Sequence, residues 1–546
     1  MVYIFFTLLL VIPALAGFGK IVESLAGPLL DGISGKALSG VLGISLLWTI
    51  AAFFIPLNIY TEIPVLISGL FFFFKERLYN EIYRFSKKDK LLIGSIILIV
   101  LYCSSFPPFI LDHFGYYVPT IKWLTEHGII KGIANLDLTL GQTSAWHIFQ
   151  AGFSGFSDPF LRSNATLLII YALYIIERRS WIQLCLLPFL LLFSQAPSPD
   201  LPVIIFSMII LNEIVSGNKK ASLLIGLSVF AFTIKPTLIW LPVLSFLYSV
   251  FIIKANPKSF LFGTSLLLLF FFKNIWTFGY PVFPVPAIDL GVPWKPNPET
   301  MEISSRYAIQ KTYDMQYSYQ QIQEFSWYHY IKNWLFLDGI KSFINIFFVL
   351  SLAAFIIFAL IKKNKIVTLI CISLLLKSIL VLLFSAQYRF FIDVFFAIFF
   401  ILGFYCFTER KPFLIFTVLS VLFISLLTFP SIVREYLPSF RLGSIMGKFE
   451  KKQLYIPSTY EYHQFDTFTV GNLKFNVSKN YPYNFDTALP AISLGYVFDD
   501  IEAGIFPQYA DQENIREGFI WKKMSPQEKK QAQKVIHIIE KIHDRD

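Results

Sequence analysis

Charged residues are scarce in this chain of 546 residues. Asp, Glu, Lys and Arg together make up 15% of it, whereas about a quarter of a soluble globular chain is charged. Hydrophobic residues make up 55% and aromatic residues 18%. This composition excludes a disordered chain and an ordinary cytosolic enzyme.

Cysteine and metal or nucleotide motifs are also scarce. The four cysteines all lie in apolar runs, so no disulfide framework is indicated; they are Cys103, Cys185, Cys371 and Cys406. The sequence has no CxxC, HxxxH, P-loop or helix-opening GxGxxG motif. We therefore expect no cofactor, and no divalent metal is indicated.

What the chain does have is long apolar runs. A helix needs about 20 apolar residues to cross a hydrocarbon core of about 30 Å. The runs predict an all-α polytopic membrane protein of about fourteen transmembrane helices. The spans are expected near residues 2–17, 39–57, 62–75, 91–107, 161–177, 181–195, 201–216, 221–234, 237–253, 259–277, 342–361, 366–386, 391–407 and 412–429. The first run lacks a basic segment before it, so we interpret it as a span and not as a cleaved signal.

The distribution of charge orients these spans. Residues 430–546 contain 15 basic and 15 acidic side chains, so the net charge of +10 arises from residues 1–429. The basic connections all fall on one face of the predicted topology, which the positive-inside rule makes cytoplasmic. They lie at residues 75–90, 177–179, 219–220, 254–258, 362–365 and 409–411. Such loops account for the basic surplus, and we expect no nucleic-acid partner.

The polar segments divide the chain. Within a transmembrane domain at 1–429, a first loop at 108–160 and a second loop at 278–341 are predicted to face outward. Residues 430–546 have a β-like run, FDTFTVGNLKFNV, and end in a helix-like stretch. We expect a small α+β region on the outward face.

Asp112 is the first candidate for chemistry, because it directly follows a predicted span and precedes His113, Tyr116 and Tyr117. Ionisable residues at a membrane boundary are costly and need a reason. A carboxylate there can act as a general base on a hydroxyl or amine. The alternative is a structural one, in which Asp112 caps a helix over residues 114–124.

Lys235, Lys273 and Arg389 form a second candidate group. All three lie at outward ends of predicted spans, against the positive-inside trend. Together they suit a phosphate or diphosphate on a lipid carrier. The alternative is that each is a separate anchor reaching towards the interface.

Two further acidic or basic positions stand out. Asp200, in the outward turn SQAPSPDLP, either orients an acceptor, helps to bind a cation or simply forms the turn. Lys377 lies near the centre of its span, and we expect it to face the helix bundle or to pair with Asp393.

The order of these features resembles the GT-C superfamily of integral-membrane glycosyltransferases, which includes protein O-mannosyltransferases and aminoarabinose transferases of lipid A. Asp112 with Tyr116 matches the place of the family's catalytic carboxylate, although His113 replaces the usual acidic neighbour. Other segments similar to family patterns are Lys273-Asn274 with Gly279-Tyr280-Pro281-Val282-Phe283-Pro284, Arg389 in AQYRF, and Lys235-Pro236.

The resemblance extends to a poorly characterised bacterial subgroup and covers roughly residues 91–546. The patches that carry it are Pro119-Thr120-Ile121-Lys122-Trp123-Leu124, Gly132-Ile133-Ala134-Asn135-Leu136, Leu489-Pro490 and Arg516-Glu517-Gly518-Phe519. It implies a multi-pass protein of the bacterial inner membrane, with residues 430–546 on the extracytoplasmic side.

The resemblance also implies a reaction. The donor would be a sugar on a polyprenyl phosphate, and the acceptor a glycan, lipid or protein. Asp112 would activate the acceptor, and Lys235, Lys273 and Arg389 would neutralise the leaving phosphate. Residues assigned to the sugar and acceptor are His113, Tyr116, Tyr117, Trp123 and Asp200. Arg516 and Trp521 would belong to a lid or docking surface.

Two other functions stay open. A polymerase or ligase using polyprenyl-diphosphate glycans usually relies on paired arginines in a large late loop, and the second loop has only Arg306. A flippase or transporter of lipid-linked sugars would typically show an internal repeat, and none is visible.

Overall fold

A computed structural model describes residues 1–27, 30–407 and 410–543 of the chain. The chain is mostly helical, and helical segments lie at the positions of the predicted spans. They are Val2–Ala26, Gly32–Ala51, Ile59–Lys75, Lys87–Ser104, Ser163–Arg178, Trp181–Phe193, Asp200–Val215, Ala221–Ile234, Pro236–Ile253, Leu261–Phe278, Ile340–Lys362, Lys365–Phe384, Ile392–Cys406 and Arg410–Thr428.

Seven described helices are long and apolar enough to cross a membrane by themselves: Val2–Leu25, Gly32–Ala51, Pro236–Ile253, Pro257–Phe278, Ile340–Lys362, Lys365–Phe384 and Lys411–Thr428. Others are shorter. The 16 residues of Ser163–Arg178 extend about 24 Å at 1.5 Å per residue, less than a typical hydrocarbon core of about 30 Å. The helix lengths therefore support a membrane protein with several crossing helices, and the count of fourteen stays a prediction.

The first three helices of the chain, Val2–Ala26, Gly32–Ala51 and Ile59–Lys75, pack through glycine. A side-chain carbon added at Gly17 would lie 1.8 Å from the carbonyl oxygen of Gly69, and one at Gly40 would lie 2.0 Å from that of Leu15. Small residues at such crossings let helix backbones approach closely, as is common between membrane helices. The second helix also begins earlier than predicted, at Gly32, since the Glu177 carboxylate accepts hydrogen bonds from its first turn.

The basic connections at 75–90 and 177–179 meet at one end of the helices, which we call the basic end. Arg179 donates to both carboxylate oxygens of Asp89, at 2.6 and 2.9 Å, and Lys36 contacts Glu81 at 2.9 Å. These pairs join segments that the predicted alternation of loops puts on the same face.

The first and second loops lie at the opposite end, which we call the loop end. The first loop contains helices Val118–Glu126 and Ala145–Phe153. The second contains Pro298–Thr312, Tyr319–Gln323 and Trp327–Leu335. The Trp334 indole donates to the carbonyl of Ala386 at 2.8 Å, which connects the last of these helices to the segment preceding Arg389.

The described part of the C-terminal region, residues 430–543, contains helices and strands. The β-like run forms an antiparallel hairpin of Phe465–Val470 and Leu473–Ser478, and a second pair consists of Ile505–Tyr509 and Phe519–Lys523. Its helices are Pro430–Tyr436, Leu494–Glu502 and Pro526–His543.

The C-terminal region shares a hydrophobic core with the first loop. First-loop members of this core are Trp123, Ile130, Ile133, Leu136 and Leu140, and C-terminal members include Phe475, Ile492, Val497, Phe506 and Phe519. The Asn135 amide donates to the carbonyls of Trp294 at 2.8 Å and Phe519 at 3.1 Å. One side chain therefore holds both loops and the C-terminal region together.

The Arg516-Glu517-Gly518-Phe519 patch is a docking element. Arg516 donates to the carbonyl of His127 in the first loop, and the Lys131 carbonyl accepts from the Phe519 backbone at 3.1 Å. Gly518 has φ of 83°, and a side-chain carbon there would lie 1.9 Å from the Lys131 oxygen. Only glycine fits this position without displacing the first loop.

Candidate functional site

Asp112 and Arg389 form an ion pair at the loop end. The Arg389 Nη1 donates to the Asp112 Oδ2 at 2.5 Å, although the two residues are 277 positions apart. The Asp112 side chain is 27% exposed and that of Arg389 is 38% exposed, so the pair can meet a ligand. The Asp112 carboxylate raises the pKa of Arg389 above its ordinary value, which keeps the guanidinium charged.

The structure does not support the helix-cap interpretation of Asp112. Its side chain makes no capping hydrogen bond. The backbone after it forms a π-type turn over His113–Tyr117, and a regular helix begins only at Val118. π-type turns are rare and often occur at functional sites.

Asp200 and Lys235 form a second ion pair next to the first. The Lys235 ammonium donates to the Asp200 Oδ1, and both side chains are largely buried. The Lys235 Nζ also lies 5.4 Å from the centroid of the Phe390 ring, whose chain neighbour is Arg389. Asp200 therefore pairs with a cationic side chain, whichever of the three roles predicted for it applies.

Tyr116 and Tyr117 lie beside these pairs. Their rings meet edge to face at 4.6 Å, and the Tyr117 ring lies 5.1 Å from that of His147. Burial raises the pKa of both tyrosines, and the charge of Asp112 raises it further. Both phenols therefore stay neutral and are able to donate hydrogen bonds.

The structure thus brings together six of the predicted residues. We call this group the paired site: Asp112, Arg389, Asp200, Lys235, Tyr116 and Tyr117.

His113 and Trp123 do not join the paired site. His113 is buried, and burial followed by the charge of Arg162 lowers its pKa to about 3. Trp123 is 2% exposed and packs edge to face on Phe519 at 5.9 Å, inside the core shared with the C-terminal region. The structure does not place these two rings with the paired site, and their sugar-binding role stays a prediction.

Lys273 is also separate. Its Nζ donates to the carbonyls of Gln142 at 2.7 Å and Thr143 at 2.8 Å. It lines an apolar cavity with Ala145 and Ile148, on a different face of helix Ala145–Phe153 from the His147 ring that contacts Tyr117. The three predicted cations therefore do not form one free cradle, since two are ion-paired and the third is bonded to backbone oxygens.

Lys311 is a cation that the sequence analysis missed. It lies on helix Pro298–Thr312 of the second loop, is exposed, and interacts electrostatically with both Asp112 and Arg389. Within the described ranges its ammonium has no ion pair. Nothing in the local sequence distinguishes it from an ordinary surface lysine of an amphipathic helix.

Lys377 pairs with Asp393, as its position in an apolar span predicts. The Lys377 ammonium donates to the Asp393 Oδ1, and the Trp240 indole donates to the other carboxylate oxygen at 2.9 Å. All three side chains are buried, and the Lys377 ammonium is within electrostatic reach of Lys235 and Asp200. A third ion pair therefore lies next to the paired site, inside the helices.

The part of the chain that the structure describes contains no group of three or more His, Cys, Asp or Glu side chains arranged to hold a metal ion. The paired site instead offers two carboxylates, two cations and two phenols at one end of an apolar bundle. Such a set can bind an anion and accept a proton from a nearby hydroxyl.

Residues 1–396 match a protein family described as a domain of unknown function, DUF8201. The chain belongs to this family. The match includes every residue of the paired site and ends just after Asp393, so the DUF8201 segment holds all three ion pairs. No curated protein and no solved structure matches the chain.

Proposed function

We propose that the chain is a membrane glycosyltransferase of the GT-C type. It moves a sugar from a polyprenyl-phosphate donor to an acceptor on the outer face of the bacterial inner membrane. The observation that supports this most directly is the ion pair of Asp112 with Arg389, half-open at the end of an apolar helical bundle. A lipid-borne phosphate entering from the bilayer reaches such a position without leaving the membrane.

The two cations of the paired site bind the donor phosphate. In the resting protein Arg389 and Lys235 are neutralised by Asp112 and Asp200. A phosphate oxygen that takes a hydrogen bond from Arg389 competes directly with the Asp112 carboxylate. Donor binding thereby releases Asp112 from its partner and leaves it free to accept a proton.

The transfer step then follows from the positions of these groups. The acceptor oxygen attacks the anomeric carbon, and its proton moves to the Asp112 carboxylate. The bond between the anomeric carbon and the phosphate oxygen breaks, and its electron pair stays with the polyprenyl phosphate. Arg389 and Lys235 stabilise this growing negative charge, with Lys311 as a third cation within reach. Attack opposite the leaving phosphate inverts the anomeric centre.

Lys273 has a different part in this proposal from the one its motif implied. Its hydrogen bonds to Gln142 and Thr143 fix the first loop against helix Leu261–Phe278. It acts as a positioning residue for the loop that carries Asp112 and makes no contact with the phosphate.

The membrane topology belongs to the same proposal. It has fourteen spans in residues 1–429, both loops outside and an extracytoplasmic C-terminal region. Its support is that both loops and the C-terminal region meet at the loop end, through Asn135, while the basic connections at 75–90 and 177–179 meet at the other end.

The test compares cells with the wild-type protein, the null strain and the Asp112→Asn variant. Mass spectrometry measures polyprenyl-phosphate sugars and envelope glycans. We expect one lipid-linked sugar to accumulate and one glycan modification to disappear in both the null strain and Asp112→Asn.

Asp89→Asn is the control for breaking an ion pair elsewhere in the protein, because Asp89 pairs with Arg179 at the basic end. It should retain wild-type glycans. Unchanged profiles in Asp112→Asn beside an altered null strain would contradict the proposal.

Transport of a lipid-linked sugar is the second candidate function. The observation that favours it is the buried pair of Lys377 and Asp393, because ionisable residues inside a membrane often mark a transport path. Loss of function in the double variant Lys377→Met/Asp393→Leu, which removes both buried charges, with Asp112→Asn unaffected, would select this alternative. A polymerase or ligase is less favoured, since Arg306 of the second loop is exposed and pairs with Glu302.

A further inference from the structure

Four tyrosines of the C-terminal region form a cluster beside the paired site. We call it the tyrosine cluster: Tyr460, Tyr462, Tyr481 and Tyr483. The ring of Tyr481 lies 5.4 Å from that of Tyr462 and 5.6 Å from that of Tyr483. The Phe114 ring packs against the cluster, with its centroid 5.5 Å from that of Tyr460 and 6.4 Å from that of Tyr481.

The cluster is continuous with the paired site through Tyr483. A side-chain carbon added at Gly115 would lie 3.7 Å from the Tyr483 ring, so this ring lies directly over the π-type turn that follows Asp112. Asp112 is also an electrostatic neighbour of Tyr483: burial raises the pKa of this phenol, and the carboxylate raises it further. A molecule held against Tyr483 is therefore held next to the carboxylate.

The cluster has hydroxyl groups that are available to a ligand. Tyr460 and Tyr462 use theirs on the carbonyls of Ile445 and Lys479. For Tyr481 and Tyr483 no hydroxyl hydrogen bond is found among the described residues, and both rings are half-buried. Each can donate to, or accept from, a bound hydroxyl.

Among the described residues, no cation acts on the two free hydroxyls of the cluster. The groups that interact electrostatically with Tyr481 and Tyr483 are tyrosines and Asp112, whereas Arg434 interacts with Tyr460. An anionic ligand would therefore find no countercharge at these two hydroxyls. Flat aromatic faces with free hydroxyls suit a ring that has an apolar face and hydroxyls at its rim. A neutral sugar ring has both.

We propose that the tyrosine cluster is the acceptor subsite and that it binds a neutral glycan. This inference rests on the proposed function and specifies its acceptor. A sugar stacked on Tyr481 and Tyr483 presents a hydroxyl to Asp112 from the C-terminal side, while the donor phosphate reaches Arg389 from the side of the helices.

The test uses the purified full-length protein in detergent, applied to a printed array of neutral and anionic oligosaccharides and of unmodified peptides. The tightest neutral glycan is then measured by calorimetry. We expect Tyr483→Phe to weaken its affinity by roughly 3- to 10-fold, the effect of one lost hydrogen bond. Removing both rings in Tyr481→Ala/Tyr483→Ala should weaken it by at least about tenfold.

Two control variants make the result specific. Tyr455→Phe changes an exposed tyrosine outside the cluster and should bind as the wild type does. Asp112→Asn should bind the glycan but not transfer sugar to it. Near-ultraviolet circular dichroism shows whether each variant keeps its fold. If the double variant does not fold, Tyr483→Phe still tests the inference, because it retains the ring and removes only the hydroxyl.

Binding of peptides in place of neutral glycans, absence of any glycan binding, or affinity that survives both tyrosine changes would overturn the inference. Transfer activity in the wild type with tyrosine-independent binding rejects this subsite alone. Tyrosine-dependent glycan binding without any transfer rejects the glycosyltransferase and leaves a glycan-binding site.

Discussion

Arg389 forms an ion pair with Asp112, and the segment that carries Arg389 is hydrogen-bonded to the second loop. The guanidinium follows Ala386, whose carbonyl accepts the Trp334 indole at 2.8 Å, and the carboxylate follows the helix that ends at Ser104. The Trp334 indole therefore links the helix Trp327–Leu335 to the segment that carries Arg389.

Replacing Arg389 should separate activity from stability. We expect Arg389→Ala to reduce transfer by about 100-fold or more, the scale of losing one electrostatic contact to a leaving group. Because the pair is partly exposed, stability should change by only about 1 kcal/mol or less. Transfer assays and thermal unfolding of the same preparation give both numbers. Equal losses in Arg179→Ala would mean that any broken ion pair has this effect.

Lys377→Met should destabilise the protein strongly. It leaves the Asp393 carboxylate buried without its cation, which typically costs about 3–5 kcal/mol. The double variant Lys377→Met/Asp393→Leu should recover much of that loss, since it removes both charges. Thermal unfolding in detergent measures the difference. A single variant as stable as the wild type would show that the pair is not buried.

Gly40→Leu should disrupt the packing of the first helices, because even a single carbon at Gly40 would lie 2.0 Å from the Leu15 oxygen. We expect a lowered melting temperature and reduced yield from membranes. Gly94→Ala is the matched change, since nothing lies within 4 Å of a carbon added there. It should leave both quantities unchanged or slightly improved.

The contact of Asp137 with the C-terminal region should depend on pH. This carboxyl accepts from Thr139 at 3.0 Å and from Ser493 at 3.3 Å, and burial raises its pKa to about 6. A carboxyl near 4 when unfolded and near 6 when folded favours the folded state at low pH. Its contribution is therefore complete below about pH 4 and is lost as the pH rises through about 6. Asp137→Asn should flatten this part of the curve of melting temperature against pH; an unchanged curve would assign it to Asp158, Asp499 or Asp500, whose pKa values burial also raises.

Gly518→Ala should loosen the C-terminal region. The added carbon would collide with the Lys131 oxygen, and the positive φ is unfavourable for alanine. We expect faster cleavage between residues 430 and 543 in limited proteolysis. Gly495→Ala, which meets nothing within 4 Å, should be cleaved at the wild-type rate.

Much of the fold follows from the sequence because hydrophobic periodicity and length are local properties. The helix positions, the β-like run beginning at Phe465 and, as one of two alternatives, the pairing of Lys377 with Asp393 could be predicted. The partners of Lys235 and Arg389 could not, because Asp200 and Asp112 lie on separate segments that only tertiary packing brings together. A lysine with an acid beside it and a lysine free to bind phosphate have the same local sequence.

The sequence also did not show which way the side chains of His113 and Trp123 point. Both follow Asp112 closely, yet the π-type turn changes which face each side chain occupies, and Trp123 is covered by a strand from the end of the chain. Nothing in the sequence around Lys311 indicated a role, because only the position of the second loop brings this residue near Asp112 and Arg389.

The position of Asn135 has a consequence for how the protein is made. Its amide donates to the carbonyl of Phe519, which is synthesised 384 residues later. At a synthesis rate of ~5–20 residues per second, roughly 20–80 s pass between the two. During that time the C-terminal residues that pack on the apolar side of the first loop, including Trp123, have not yet been made. We therefore expect the apolar side of the first loop to contact either the membrane surface or a chaperone until synthesis is complete.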